Sequence, residues 1–124
     1  MKVLALDFGS ARTGVAVSDP TGTVARPLTI VEAAATHAGF ARLLAVIAEE
    51  DPILIVVGLP LTLRGVRGEQ AIETEVFVER LRGACAVPVE TYDERFTSVL
   101  AGGDDARAAA HLLSGYLEWQ SSRL

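Results

Sequence analysis

The chain has 124 residues, enough for one domain that buries a real core without disulfides or a structural metal. Half of its residues are apolar and 22% are charged, an ordinary globular balance, and its single cysteine, Cys85, excludes an intrachain disulfide and fits a reducing compartment. A net charge of −5 and a pI near 4.9 argue against binding nucleic acid by overall electrostatic attraction. They leave room for carboxylates gathered around a cation and for locally placed arginines. Met1 to Leu6 is too short an apolar run for a signal peptide and is interrupted by Asp7. The longest hydrophobic stretch, Ile53 to Leu61, falls well below the ~20 residues of a membrane span. The expectation is a soluble cytoplasmic protein with no membrane partner.

In chain order, strands come first. Lys2 to Phe8 is a short apolar run that closes on a polar residue and Gly9, and Gly14 to Ser18 follows after a tight connection. Asp19-Pro20-Thr21-Gly22 is a turn cluster, and Thr23 to Val31 reads as a third strand whose Pro27 marks an edge or a bulge. The period then changes. Phe40, Leu43, Leu44, Ile47 and Ala48 recur at helical spacing behind Thr36, a plausible N-cap, and the helix stops near Asp51-Pro52.

Ile53 to Val57 is a continuous β-branched run, the pattern of a strand covered on both faces, and Gly58-Leu59-Pro60 shapes the loop after it. Thr62 to Gly68 reads as an exposed basic loop. Glu69 to Arg82 reads as an amphipathic helix with Ile72, Val76 and Leu81 among its apolar positions. Val87 to Tyr92 is a fifth strand, and Asp104 to Trp119 a last helix burying Ala108, Leu112, Leu113, Tyr116 and Leu117. A meander followed by alternating helix and strand makes a mixed five-stranded α/β sheet flanked by helices, in one domain spanning residues 1–124.

Three acidic features stand at element ends. Asp7 closes a hydrophobic strand, where a carboxylate is costly unless something pairs with it; it reads equally well as a cation ligand or as a cap on the following turn. Asp93-Glu94-Arg95 follows the fifth strand directly, and Asp104-Asp105 opens the last helix, where the helix dipole favours acids in any case. Together they form the kind of set a one- or two-metal phosphodiesterase needs. His37 and His111 lack partners at metal-ligand spacing, Ser10 has no evident base, and Cys85 reads as an inert, partly buried thiol. Tyr116 and Trp119 read as core or interface residues rather than stacking platforms.

The segments Leu4 to Asp19, Val56 to Ala71, Tyr92 to Ser98 and Asp105 to Leu117 resemble, in order, the motifs of the YqgF/RuvX family. The resemblance covers nearly the whole chain. It implies a ribonuclease H-like fold related to Holliday-junction resolvases and a bacterial cytoplasmic hydrolase that matures the 5′ end of pre-16S ribosomal RNA. It also implies Asp7, Glu94 and Asp105 as catalytic acids and metal ligands, with Asp93 a further candidate ligand and Mg²⁺ or Mn²⁺ as cofactor. Arg12, Arg64, Arg67 and Arg95 are, by charge and placement, candidate phosphate contacts. One departure is visible: only Ser98 to Asp104 separate the DER motif from the last acid, where the family carries a longer and often basic stretch. That is either a deletion or a loop missing from this sequence.

Three functions remain in play: a metal-dependent nuclease acting on RNA, a resolvase of branched DNA, and a non-catalytic nucleic-acid or ribosome-associated module. A sugar-kinase-like or actin-like ATPase would need a second domain that this length does not hold. Both a monomer and a homodimer fit the sequence.

Overall fold

The computed structural model describes residues 2–60, 68–93 and 106–122. In chain order the elements are β1 (Val3–Asp7), β2 (Arg12–Ser18), β3 (Ala25–Glu32), α1 (His37–Glu50), β4 (Leu54–Leu59), α2 (Glu69–Ala84), β5 (Val89–Asp93) and α3 (Ala106–Ser122). The sheet order is β3-β2-β1-β4-β5. The meander pairs antiparallel, with Leu4 opposite Val17 and Asp7 opposite Gly14, whereas β4 runs parallel to both β1 and β5.

Alternation along the central strand divides the core. Leu4 and Leu6 face a cluster that includes Phe40, Leu43 and Ile47 of α1 and Phe77, Val78 and Leu81 of α2. Val3 and Ala5 face Ala109, Leu112, Leu113, Tyr116 and Leu117 of α3 on the other side. Because both faces are covered, β1 and β4 are apolar at nearly every position, as the Ile53 to Val57 run foretold.

Local chemistry explains the element ends. Ser18 closes β2 by accepting the Val3 N–H on its hydroxyl at 2.8 Å. The Asp19 carboxylate then accepts N–H bonds from Thr23 and Val24 at 2.8 and 2.9 Å and a hydroxyl bond from Thr21, fastening the β2–β3 turn. Those bonds favour its ionised form and hold its pKa far below the usual carboxylate range. Thr36 caps α1, its hydroxyl accepting the Gly39 N–H at 3.1 Å, and Asp51 ends the helix in the left-handed region at φ 50°.

Pro27 lies on an edge strand beside a bulge between Val15 and Ala16, so both readings of it hold. On the opposite edge the Pro88 carbonyl accepts from Ile55, which turns the next carbonyl, that of Val89, outward. Arg82 covers it, donating from Nε at 3.1 Å and Nη2 at 2.8 Å.

Several boundaries differ from expectation. β2 begins at Arg12 rather than Gly14, because Arg12 and Thr13 pair with Glu32 and Val31. β4 continues through Gly58 and Leu59, which pair with Tyr92 and Asp93, and Ile53 lies outside it, exposed. Ile72 and Val76 are not core positions: α2 buries Ala71, Thr74, Phe77, Val78 and Leu81, leaving Ile72 48% and Val76 65% exposed. Of the residues expected on the buried side of α3, only Ala108 is replaced, by Ala109. The expected basic loop, apart from Gly68, falls outside the described residues. No helix among the described residues is long and apolar enough to cross a membrane.

Candidate active site

Parallel pairing sends the C-terminal ends of β1, β4 and β5 to one edge of the sheet. Asp7 therefore stands at the same edge as Pro60, which follows β4, and Asp93, which pairs with Leu59 at the end of β5. With β4 between them, β1 and β5 lie about 10 Å apart. α3 runs in the direction opposite to β1. Its last turn, at Ser121 and Ser122, borders a groove with Gly22 to Ala25 of the β2–β3 turn, at the end of the sheet away from Asp7. Its first turn consequently points toward the Asp7 edge.

Asp7 is half-buried. Among the described residues its carboxylate has no hydrogen-bond or ion-pair partner, so it is not the turn cap that its position also allowed. The following loop is held from two sides. A Cβ on Gly9 would lie 2.4 Å from the Arg12 carbonyl oxygen, so only glycine lets the chain close this tightly. Phe8 stacks on Phe77 of α2 with ring centroids 4.3 Å apart, tying the loop to the helix.

Between loop and helix opens a cleft of about 220 Å³ bordered by Asp7, Gly9, Ser10, Pro60, Gln70 and Glu73. Two carboxylates on one small cleft make it hospitable to a cation and hostile to a bare phosphate. Glu73 had no distinguishing mark in the sequence. It is a mid-helix acid, and only the return of α2 beside β1 brings it near Asp7.

Of the sequence-derived site residues, Asp7, Arg12 and Asp93 are described. Arg12 is exposed at the start of β2 and Asp93 half-buried at the end of β5, and both take part in further interactions. Glu94, Arg95, Asp105, Arg64 and Arg67 lie outside the described residues. Among the described residues no three His, Cys, Asp or Glu side chains come close enough to share an ion. His37 and His111 are exposed on their helices, and Cys85 is half-buried beside the Val87 carbonyl.

Next to Asp93, Tyr92 packs against Tyr116 and Trp119 and donates its hydroxyl to the Gly115 carbonyl at 3.3 Å. Burial first, then the charges of Asp93 and Glu118, raise its pKa and keep the phenol neutral. Tyr116 is core, donating to Glu90 at 2.7 Å, while Trp119 is 43% exposed.

A five-stranded mixed sheet with two helices on one face and one on the other, and an acid closing its central strand, is the ribonuclease H-like architecture. RuvC from T. thermophilus, solved in complex with a Holliday junction substrate, matches with a TM-score of 0.61 at 17% identity, over 98% of this chain and 96% of that one. A fowlpox virus resolvase, solved with Holliday junction DNA, matches with a TM-score of 0.61 at 12% identity, over 97% and 99%.

The family model described as "RuvX: Holliday junction resolvase" matches residues 1–110, and the chain belongs to that family. A relative from Chloroflexus aurantiacus, described as "Putative pre-16S rRNA nuclease", is 44% identical over 99 residues, 80% of this chain. The chain spans 65% of that relative's length. A relative of the same description from an Anaeromyxobacter species is 37% identical over 133 aligned residues, 95% of this chain and 97% of its own. That alignment is longer than the 124-residue chain, so this relative carries residues that the chain lacks.

Proposed function

We propose that this chain is a divalent-metal-dependent nuclease that cleaves nucleic-acid phosphodiesters, with 5′-end maturation of pre-16S rRNA as its activity. The carrying observation is the half-buried, unpartnered Asp7 carboxylate at the edge where three parallel strands end. Leaving a carboxylate so placed without a partner is costly, and a hard cation is the partner that fits its chemistry. Asp7, Glu94 and Asp105 would hold Mg²⁺ or Mn²⁺, with Asp93 as a further ligand. Glu94 directly follows β5 and Asp105 directly precedes α3 in the sequence. Both elements converge on the Asp7 edge. When bound, such an ion lowers the pKa of water and neutralises charge on the phosphate oxygens.

The chain's own residues orient and exclude. The Phe8–Phe77 stack fixes the loop after Asp7, and Arg12, Arg64, Arg67 and Arg95 hold the phosphate backbone in register against the acidic cleft. The descriptions of the relatives support RNA as the substrate. The family description favours one second reading, cleavage of branched DNA. A single domain acting in the cytoplasm completes the proposal.

The test is a cleavage screen of purified chain with Mg²⁺ or Mn²⁺ against pre-16S leader fragments, single strands and four-way junctions. Asp7→Asn should slow cleavage by about a thousandfold, corresponding to about 4 kcal/mol of lost transition-state stabilisation. Activity unchanged in Asp7→Asn removes Asp7 from the chemistry. Binding without cleavage of any substrate leaves a non-catalytic module.

A further inference from the structure

Acid is spread unevenly along this chain. Of its 16 Asp and Glu residues, none falls between Ala33 and Ala48, which make up the turn after β3 and nearly all of α1. The first turn of α1 thus lacks the acid that a helix start favours.

Two guanidiniums from separate helices close on that turn. Arg42 of α1 donates from Nη2 to the Glu32 carbonyl at 3.0 Å, and Arg80 of α2 donates from Nη1 to the Ala35 carbonyl at 2.8 Å. Arg80 also lies 3.9 Å above the Phe40 ring, which fixes its plane. Both arginines are exposed, and neither forms an ion pair among the described residues. A guanidinium has five N–H donors, so each keeps several for a ligand after holding its carbonyl. Of the acids nearby, Glu79 is taken up by Arg82, and Glu32 stands opposite Arg12 in the β2–β3 register.

The turn lies on the side of the candidate site. Asp7 pairs with Gly14 and Arg12 with Glu32, so the chain leaves β3 for α1 at the Asp7 edge. β3 is two strands from β1, about 10 Å away. The surface between is continuous, since Phe8, Ser10 and Glu73 border both the Asp7 cleft and a groove that reaches Ala35 and Arg80.

We propose that Arg42 and Arg80 together bind the phosphate backbone of a nucleic-acid strand, about three nucleotides from the phosphate held at Asp7, at ~3.4 Å for each nucleotide. That distance from the cut depends on the nuclease reading, which makes Asp7 the point of cleavage. Phosphate is the ligand that fits, because a planar fork of N–H donors matches its oxygens two at a time. Anchoring on the Glu32 and Ala35 carbonyls has already restricted both side chains, so less freedom is lost on binding. A chain of net charge −5 can hold a polyanion in this way, through local rather than overall attraction.

Fluorescence anisotropy of the full chain with a labelled single-stranded RNA tests this, in Ca²⁺ and across a series of KCl concentrations. Arg42→Gln with Arg80→Gln should weaken binding about tenfold and flatten the slope of log affinity against log salt by about 1.4, or about 0.7 for each lost phosphate contact. Arg42→Lys with Arg80→Lys keeps the charge and should hold the slope near that of wild type, with circular dichroism melts showing both double variants folded. Arg26→Gln controls for net charge. Arg26 is exposed on β3 opposite Val17, at the end of the sheet away from Asp7, and its loss should leave the slope unchanged.

A wild-type chain that binds no RNA overturns the proposal. So does a double Gln variant with the wild-type slope, or an Arg26→Gln chain that flattens it as much for the charge removed. The nuclease reading is judged apart, by cleavage in Mg²⁺. Slope loss in the double Gln variant with no cleavage by wild type supports this site and removes that reading, whereas cleavage by wild type with an unchanged slope in the variant does the reverse.

Discussion

Phe77 joins the core to the candidate site, and replacing it by leucine separates ring contacts from simple burial. The side chain is 4% exposed, stacks on Phe8 at 4.3 Å and meets Phe40 edge-on at 6.2 Å. Leucine retains most of the buried apolar area, a class of change that costs under about 1.5 kcal/mol for packing. It loses both ring pairs, each contributing about 0.5–1.5 kcal/mol beyond area. The expected destabilisation of Phe77→Leu is therefore roughly 1–4.5 kcal/mol.

Urea denaturation followed by circular dichroism reads this as a midpoint lowered by about 0.5–2 M with unchanged slope. Phe8→Leu loses only the stacked pair and should cost about half as much. In a double-mutant cycle the two changes share that pair, so Phe8→Leu with Phe77→Leu should fall short of additivity by about 0.5–1.5 kcal/mol. Additivity within error would show that the rings do not interact, and the loop after Asp7 would then need another anchor.

Gly39→Ala places a Cβ 1.9 Å from the Ala33 carbonyl oxygen, a clash of backbone with backbone, and should cost about 2–4 kcal/mol in the same assay. Gly9→Ala, with its 2.4 Å approach to Arg12, should lower cleavage more than stability, measured by single-turnover kinetics beside urea midpoints. For Asp19, whose folded pKa is depressed, the contribution is present above the ordinary value near 3.9 and is lost as pH falls. Asp19→Ala should therefore converge with wild type in stability under acid, checked by thermal melts across pH. Tyr92 has a raised folded pKa, so its stabilising effect holds below about pH 10 and declines as pH rises toward the folded value. Optical titration should show Tyr92 ionising late, a step that Tyr92→Phe should remove.

Where short-range chemistry decides the structure, the sequence was legible. Serine, aspartate and glycine end the early strands, Thr36 caps α1, and an unbroken β-branched run reads as a strand covered on both sides. The position of Asp7 at the end of β1 was legible too, because the apolar run stops at it. The errors share a cause. Ile72 and Val76 were read as core because apolar residues on a helix usually are, yet Phe77, Val78 and Leu81 fill the available sheet face. Gly58 was read as a stop, but pairing with Tyr92 carries the strand past it, a tertiary effect that local propensity does not contain. Glu73 and the Phe8–Phe77 stack depend on α2 folding back beside β1, a contact between distant segments with no trace in spacing.

The guanidinium of Arg82 lies where an incoming extended segment would have to bond, against the outward carbonyl of Val89. On the far margin Pro27 withholds a donor and the bulge breaks the register. An open sheet whose two borders are both blunted is a poor template for strand-by-strand growth, so crowding of this chain should not drive it into fibrils.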